Sequence, residues 1–335
     1  MGQRPTILDV AKKAGVSKST VSLVLQQSAS VKESTRVAVR QAMADIGYVY
    51  NRSAATLRSS SSGLIGLVIN DLRNPFFAEF ATSFQMELAQ NGFATVLANT
   101  DEDPLLQSRT ISSLIEHGVS GFVISPAYGQ EEDTLAVIEA AGVPTLQVFR
   151  ALSQDDDRFP FVAPDYKLGG TCATEHLLEM GCKRIAFLGG LNGRAVTQER
   201  MSGYLDVLAR HRQEPVILTG EVTRRFGKQM VAKLAADHPD VDGVICFNDL
   251  VGLGVLSACV ESGIQVGRDL RVVGFDDIQD CQDSFPALSS VSCHIPDFAK
   301  TTAAQILSWI NDGVRPNDHQ RSEVELAIRA SSGQP

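Results

Sequence analysis

Arg200 and Asp276 are the residues of this 335-residue chain best suited to hold a polyhydroxylated small molecule. A guanidinium fork grips two oxygens at once, and a carboxylate accepts hydrogen bonds from hydroxyl groups. Arg200 opens the run RMSGY near a predicted helix start, and Asp276 directly follows the apolar run LRVVGF at 270–275. Asn248 and Asp249 follow GVICF at 243–247 in the same way, and Phe76 follows Asn74-Pro75 with an aromatic face to offer. Ser125 and Arg150 stand at the ends of two more apolar runs, and Arg194 ends the loop GGLNGR at 189–194. Each also has a purely structural reading. Arg200 and Asp276 would pair with each other, Asp249 would cap a helix, and Phe76 would be core. Gly189-Gly190 reads as a turn, because neither GxGxxG nor a P-loop is present.

A second set lies in TILDVAKKAGVSKSTVSLVL at 6–25. Thr6 is an N-cap with Asp9 three positions on, the spacing of a capping box. Ile7, Val10, Ala11 and Ala14 share one helix face, and Gly15 sits where a tight turn needs positive φ. Ser17 caps a second helix from about Lys18 to Leu25, and a third at 32–46 carries Val37, Val39, Ala42, Met43 and Ile46 to cover the first two. Helix, short glycine turn, helix is the DNA-reading helix-turn-helix pattern. It puts Lys18, Ser19 and Ser22 toward the major groove, and Ser17, Thr20, Lys32 and Arg36 near phosphates. The structural alternative is an ordinary three-helix packing module.

No set has the spacing for catalysis. GxSxG, HExxH and Walker A motifs are absent, and the six histidines show no metal spacing. The six cysteines lie far apart with no CxxC, so reduced thiols, no zinc site and no cofactor are expected. No apolar run approaches the ~18 residues that span a bilayer. The first residues have no apolar stretch like that of a secretory signal, so the expected location is the cytoplasm, away from membranes.

The elements that must position these residues change character along the chain. Residues 1–50 show helical periodicity only, and SAATLRSSSS at 53–62 reads as a linker. From Gly63 onward, apolar runs at 64–69, 93–98, 121–125, 145–149, 184–188, 215–219, 243–247 and 270–275 alternate with helical segments. That rhythm predicts an α/β fold with two parallel-sheet lobes. Crossings between lobes are expected near 157–166, with its two prolines, and near 286–294. Ligands of such sheets bind beyond the strands' carboxyl ends, where the candidate residues lie. Charge divides the chain at the same boundary. Residues 1–62 hold nine basic and three acidic side chains, net +6, and the remaining 21 basic and 36 acidic give −15. A basic head on an acidic body fits one module for phosphates and another for a different task.

The head segment resembles that of the lactose/galactose repressor (LacI/GalR) family. The likeness continues in register through VKESTR at 31–36, NRSAATLR at 51–58, NPFF at 74–77, RIAFLGG at 184–190, Asn248-Asp249 and VVGFDD at 272–277. It covers essentially the whole chain, and TVSLVL and NDLRNPFF look closest to the maltose-regulon repressor branch. The resemblance implies a helix-turn-helix head at 1–50 and a hinge helix at 51–62. It implies periplasmic-binding-protein-type lobes at 63–161 with about 293–320, and at 162–292 with about 321–335. It adds Thr6, Asn51, Ala54 and Arg58 to the DNA-contact set, with Leu57 as a wedge in the minor groove. Without it, Leu57 reads as a linker residue. It also assigns Arg200 and Phe76 to effector binding.

Leu23 stands where the family commonly has an arginine. Leucine makes no bidentate contact to guanine and would touch a thymine methyl or simply pack, so the resemblance does not fix the operator sequence at that point. The implied protein is a homodimeric repressor of operator DNA, controlled by a sugar, sugar acid or phosphosugar, with a purine also compatible. The chain's end, SSGQP, lacks a heptad, so a dimer is expected rather than a tetramer. A sugar-binding protein or sugar-processing enzyme on the same scaffold is the alternative.

Overall fold

Thr6 accepts the Asp9 amide on its side chain, and its own N–H donates to Asp9 Oδ2 at 2.8 Å. The first helix, α1 (Ile7–Ala14), therefore begins in the predicted capping box. It ends at Gly15, φ 67°, in the left-handed region where glycine carries no Cβ penalty. Ser17 Oγ accepts the Thr20 amide at 3.1 Å and so starts α2 (Lys18–Leu25). The third helix, α3 (Glu33–Ile46), closes a small core on fully buried Val10, Val21 and Val39. Val37 does not join it and is 57% exposed. It lies two residues from Val39, and helical residues two apart do not share a face.

The computed structural model describes residues 5–25, 28–48, 62–129, 131–152 and 158–333. They divide into the head, ending at Ser62, and a second unit beginning at Gly63. The expected hinge helix, with Asn51, Ala54, Leu57 and Arg58, lies outside the described residues.

The second unit has two six-stranded sheets. The first is built from β1 (Leu64–Ile69), β2 (Ala94–Asn99), β3 (Gly121–Ile124), β4 (Thr145–Val148), β5 (Phe161–Pro164) and β11 (His319–Ser322). Its order is β11-β5-β4-β3-β1-β2, all parallel. The second holds β6 (Ile185–Leu188), β7 (Val216–Leu218), β8 (Gly243–Cys246), β9 (Arg271–Asp276), β10 (Ser289–Ser292) and β12 (Glu325–Ala327). Its order is β12-β10-β9-β8-β6-β7, with only β12 antiparallel. Helices α4 (Pro75–Gln90), α5 (Pro104–Glu116), α6 (Glu131–Ala141) and α12 (Ile295–Asp312) belong to the first lobe. Helices α7 (Tyr166–Glu179), α8 (Ala195–His211), α9 (Arg224–Asp237), α10 (Asp249–Ser262) and α11 (Asp280–Asp283) belong to the second. Buried on both faces, strands such as β1 must be nearly continuous apolar runs, which is why they were readable.

Four strands, β5, β10, β11 and β12, lie outside the expected runs, and two of them show why. The segment 157–166 is not simply a crossing, because it contains the buried strand β5. Pro160 and Pro164 sit before the strand and at its last residue, where a missing N–H breaks no interior ladder bond. The first lobe's sheet thus runs through Pro164 and Ser322, a few residues past the expected limits at 161 and 320. Strand β10 is three serines and a valine, a polar run that gave no strand signal, yet it is buried. Its hydroxyls are bonded: Ser289 donates to the Arg329 carbonyl at 3.0 Å and Ser290 to Asp249 at 2.5 Å.

Candidate functional site

In the head, Lys18 and Ser19 at the start of α2 are exposed and Ser22 is half-buried. Leu23 is exposed beside them, so an apolar side chain faces outward on the predicted reading surface. Ser17, Ser19 and Thr20 share hydroxyl contacts of 2.7 and 2.8 Å. Lys32 is exposed and makes no capping bond. Arg36 differs from expectation. Its guanidinium donates to the carbonyls of Ser28 at 2.6 Å and Val31 at 3.1 Å. It braces the loop between α2 and α3 rather than standing free for a phosphate.

In the second unit, the carboxyl ends of β1, β3 and β4 and those of β6, β8 and β9 meet around a cavity of about 140 Å³. Seven of the eight candidates line it: Phe76, Ser125, Arg150, Arg194, Arg200, Asn248 and Asp276. Arg200 is buried on α8. One terminal nitrogen meets Asp276 Oδ1 at 2.8 Å, and the other donates to the Phe247 carbonyl. Its guanidinium carbon lies 3.9 Å from the Phe275 ring centroid, 4.7 Å from Phe247 and 4.8 Å from Tyr166. Its Nε is buried with no partner among the described residues. Burial is the largest single influence and opposes the charge on Arg200, but the attractions of Asp276, Tyr166 and Cys293 together outweigh it and raise the pKa.

Asp276 ends β9 with φ 112°, a left-handed conformation that costs a non-glycine residue roughly 1–3 kcal/mol. Both structural alternatives for Arg200 and Asp276 therefore coincide: they form an ion pair, and that pair lines the cavity. Burial pushes the Asp276 carboxyl up to about 6 from its ordinary 3.8, against the pull of Arg200. A carboxyl with a raised native pKa holds its proton more tightly when folded. Its stabilising contribution is complete below about pH 4 and is lost as pH rises toward 6. Urea unfolding should therefore show the wild type losing stability relative to Asp276→Asn across that window, and parallel curves would contradict it.

Asp249 does not line the cavity. It accepts the Ile278 amide at 2.9 Å and the Ser290 hydroxyl, and so ties the loop after β9 to β10. Burial first, then the Asp276 carboxylate, pushes its pKa well up. The helix cap is its neighbour Asn248, which accepts the Val251 amide at 3.1 Å. Phe76 is buried with its ring edge on Phe149, centroids 4.8 Å apart. Ser125 donates to Asn70 Oδ1.

Sequence reasoning missed Tyr128, Phe149, Tyr166, Phe247 and Glu102, all of which line the cavity. Phe149 and Phe247 directly follow β4 and β8, so the strand-end rule that found Asp276 would have found them too. Across the lobes, the Gln279 amide donates to Glu79 Oε1 at 2.9 Å, and Arg321 meets Glu199 at 2.9 Å. Among the described residues no group of three or more metal-ligating side chains comes together, and the six cysteines are free.

Two family models match the chain. Residues 62–329 match "Periplasmic binding proteins and sugar binding domain of LacI family", and residues 6–51 match "Bacterial regulatory proteins, lacI family". The ribose operon repressor of Halalkalibacterium halodurans is 30% identical over 329 residues, 98% of this chain and 97% of that protein. The maltose regulon regulatory protein MalI of Escherichia coli is 32% identical over 266 residues, 78% of this chain and 77% of that one. Among solved structures, the lac repressor dimer bound to operator and the anti-inducer ONPF matches with a TM-score of 0.85 and 27% identity. That match covers 98% of this chain and 99% of the other.

Proposed function

This chain belongs to the LacI family of bacterial regulatory proteins, and from that premise we propose that it represses transcription under the control of a sugar-type effector. One observation carries the reading. A single chain joins a helix with outward-facing Lys18, Ser19 and Leu23 to a cleft floored by the Arg200–Asp276 pair. The first arrangement suits base edges in a major groove, and the second suits vicinal hydroxyls.

The protein acts as a homodimer in the cytoplasm, with two heads on a pseudo-palindromic operator. Phe76, Ser125, Arg150, Arg194, Arg200, Asn248 and Asp276 hold the effector. It rotates one lobe against the other and changes the spacing of the heads. Effector and operator then alter each other's affinity by one common factor. The role is that of a regulator rather than an enzyme, in keeping with the roles named for its relatives. Among the described residues, no helix is long and apolar enough to cross a membrane.

The test is fluorescence anisotropy on an operator selected from random sequence. Affinity is expected to fall about a thousandfold between roughly 50 and 200 mM salt if about six phosphates are neutralised. Removal of residues 1–62 should abolish DNA binding while a stabilising sugar still binds the remainder. DNA binding that survives this deletion, or shows no salt dependence, would overturn the reading.

A further inference from the structure

Two arginines pack against the Tyr128 ring. The guanidinium carbons of Arg150 and Arg194 both lie 4.1 Å from the ring centroid. Arg150 follows β4 in the first lobe and Arg194 precedes α8 in the second, so the stack spans the cleft. Arg150 is buried and meets Glu102 at 2.5 Å. Arg194 is exposed, and among the described residues no carboxylate meets it. The three side chains line both the first cavity and a second one of about 170 Å³ beside it, to which Gly193 and Ala195 also contribute. Ala195 begins α8, whose N-cap Arg194 makes no side-chain capping bond. The neighbouring helices α7, α9 and α10 are capped by Asp165, Thr223 and Asn248. Among the described residues, the first-turn N–H groups of α8 thus have no side-chain acceptor, and a helix N-terminus favours negative charge.

Two cations packed on one ring repel each other, and a single glutamate leaves one positive charge uncompensated. We propose that this second cavity is an anion subsite, which takes the phosphate or carboxylate of a sugar derivative whose hydroxyls lie in the adjoining cleft. The anion occupies the cavity that Arg150 and Arg194 both line at the start of α8, relieves their repulsion and holds the lobes together. This deepens the regulator reading and rests on it for the occupant of the cleft.

The test uses the full chain with inorganic phosphate, and acetate in parallel, each against sodium chloride at matched ionic strength. Phosphate or acetate is expected to raise the unfolding temperature. The apparent affinity should fall about tenfold in Arg194→Gln, which removes charge-assisted hydrogen bonds, and less in Arg194→Lys. Arg194 is exposed, so its replacement removes no core contact. Stronger protection by phosphate assigns a phosphorylated sugar, and stronger protection by acetate assigns a sugar acid. Absence of anion-specific protection, or protection that Arg194→Gln leaves intact, overturns the subsite. Failure of the wild-type chain to select any DNA sequence would instead strike the regulator reading, independently of this measurement.

Discussion

Replacing Arg200 with alanine is expected to destabilise the effector-binding unit by about 3–5 kcal/mol and to abolish the response to effector. The side chain is buried together with its partner, at 5% exposure each, so its loss leaves the Asp276 carboxyl without a counter-charge. It also strips the Phe247 carbonyl of a donor and empties the space between the rings of Phe275, Phe247 and Tyr166. Asp276 already stands at about 6 with Arg200 beside it, and without that attraction it rises further and protonates at neutral pH. Protonation removes the unpaired charge and caps the loss. Urea unfolding of Arg200→Ala, Asp276→Asn and the double variant forms a cycle in which the double is less damaged than the sum of the singles. The operator assay reads the functional half: DNA still binds, and the sugar no longer changes its affinity. A destabilisation below about 1 kcal/mol, or a retained sugar response, would contradict the ion pair's assigned role.

Gly170→Ala is expected to cost about 3 kcal/mol or more, at the upper end of overpacking effects. A Cβ on Gly170 would lie 2.1 Å from the backbone oxygen of Arg200, and one on Gly203 would lie 2.2 Å from that of Lys167. Helices α7 and α8 therefore cross backbone to backbone, with no flexible side chain to move aside. Any methyl group must drive the helices apart. Because α8 carries Arg200, that separation also withdraws the guanidinium from Asp276 and weakens effector binding. A thermal midpoint within about 2 °C of the wild type would show that the helices separate at no cost. The same construction recurs in α9 and α10, where a Cβ at Gly227 or Gly254 would meet a carbonyl oxygen at 2.0 Å.

Much of the head was legible because its signals are local. The capping box of Thr6 and Asp9, the glycine at 15 and the cap at Ser17 each act within four residues. The local hydrogen bonds of Arg36 were not legible for the opposite reason. Its partners, Ser28 and Val31, belong to a loop whose path depends on the packing of α2 against α3. Strand β5 was hidden by its prolines and β10 by its serines, since both are strands only through the neighbours that pair with them.

The sequence by itself determined the alternation of the apolar strands with helices, the helix-turn-helix and the rule that site residues follow strands. Periodicity, caps and strand-end positions depend on near neighbours in the chain. Only the tertiary structure decided which of those residues reach the cleft. Asn248 and Asp249 are adjacent in sequence, yet one lines the cavity and the other turns back to hold Ile278 and Ser290. The Arg200–Asp276 pair joins residues 76 positions apart, and the stack of Arg150, Tyr128 and Arg194 joins two lobes. Such contacts are set by helix crossings and sheet order, and the local pattern around either partner holds no trace of the other.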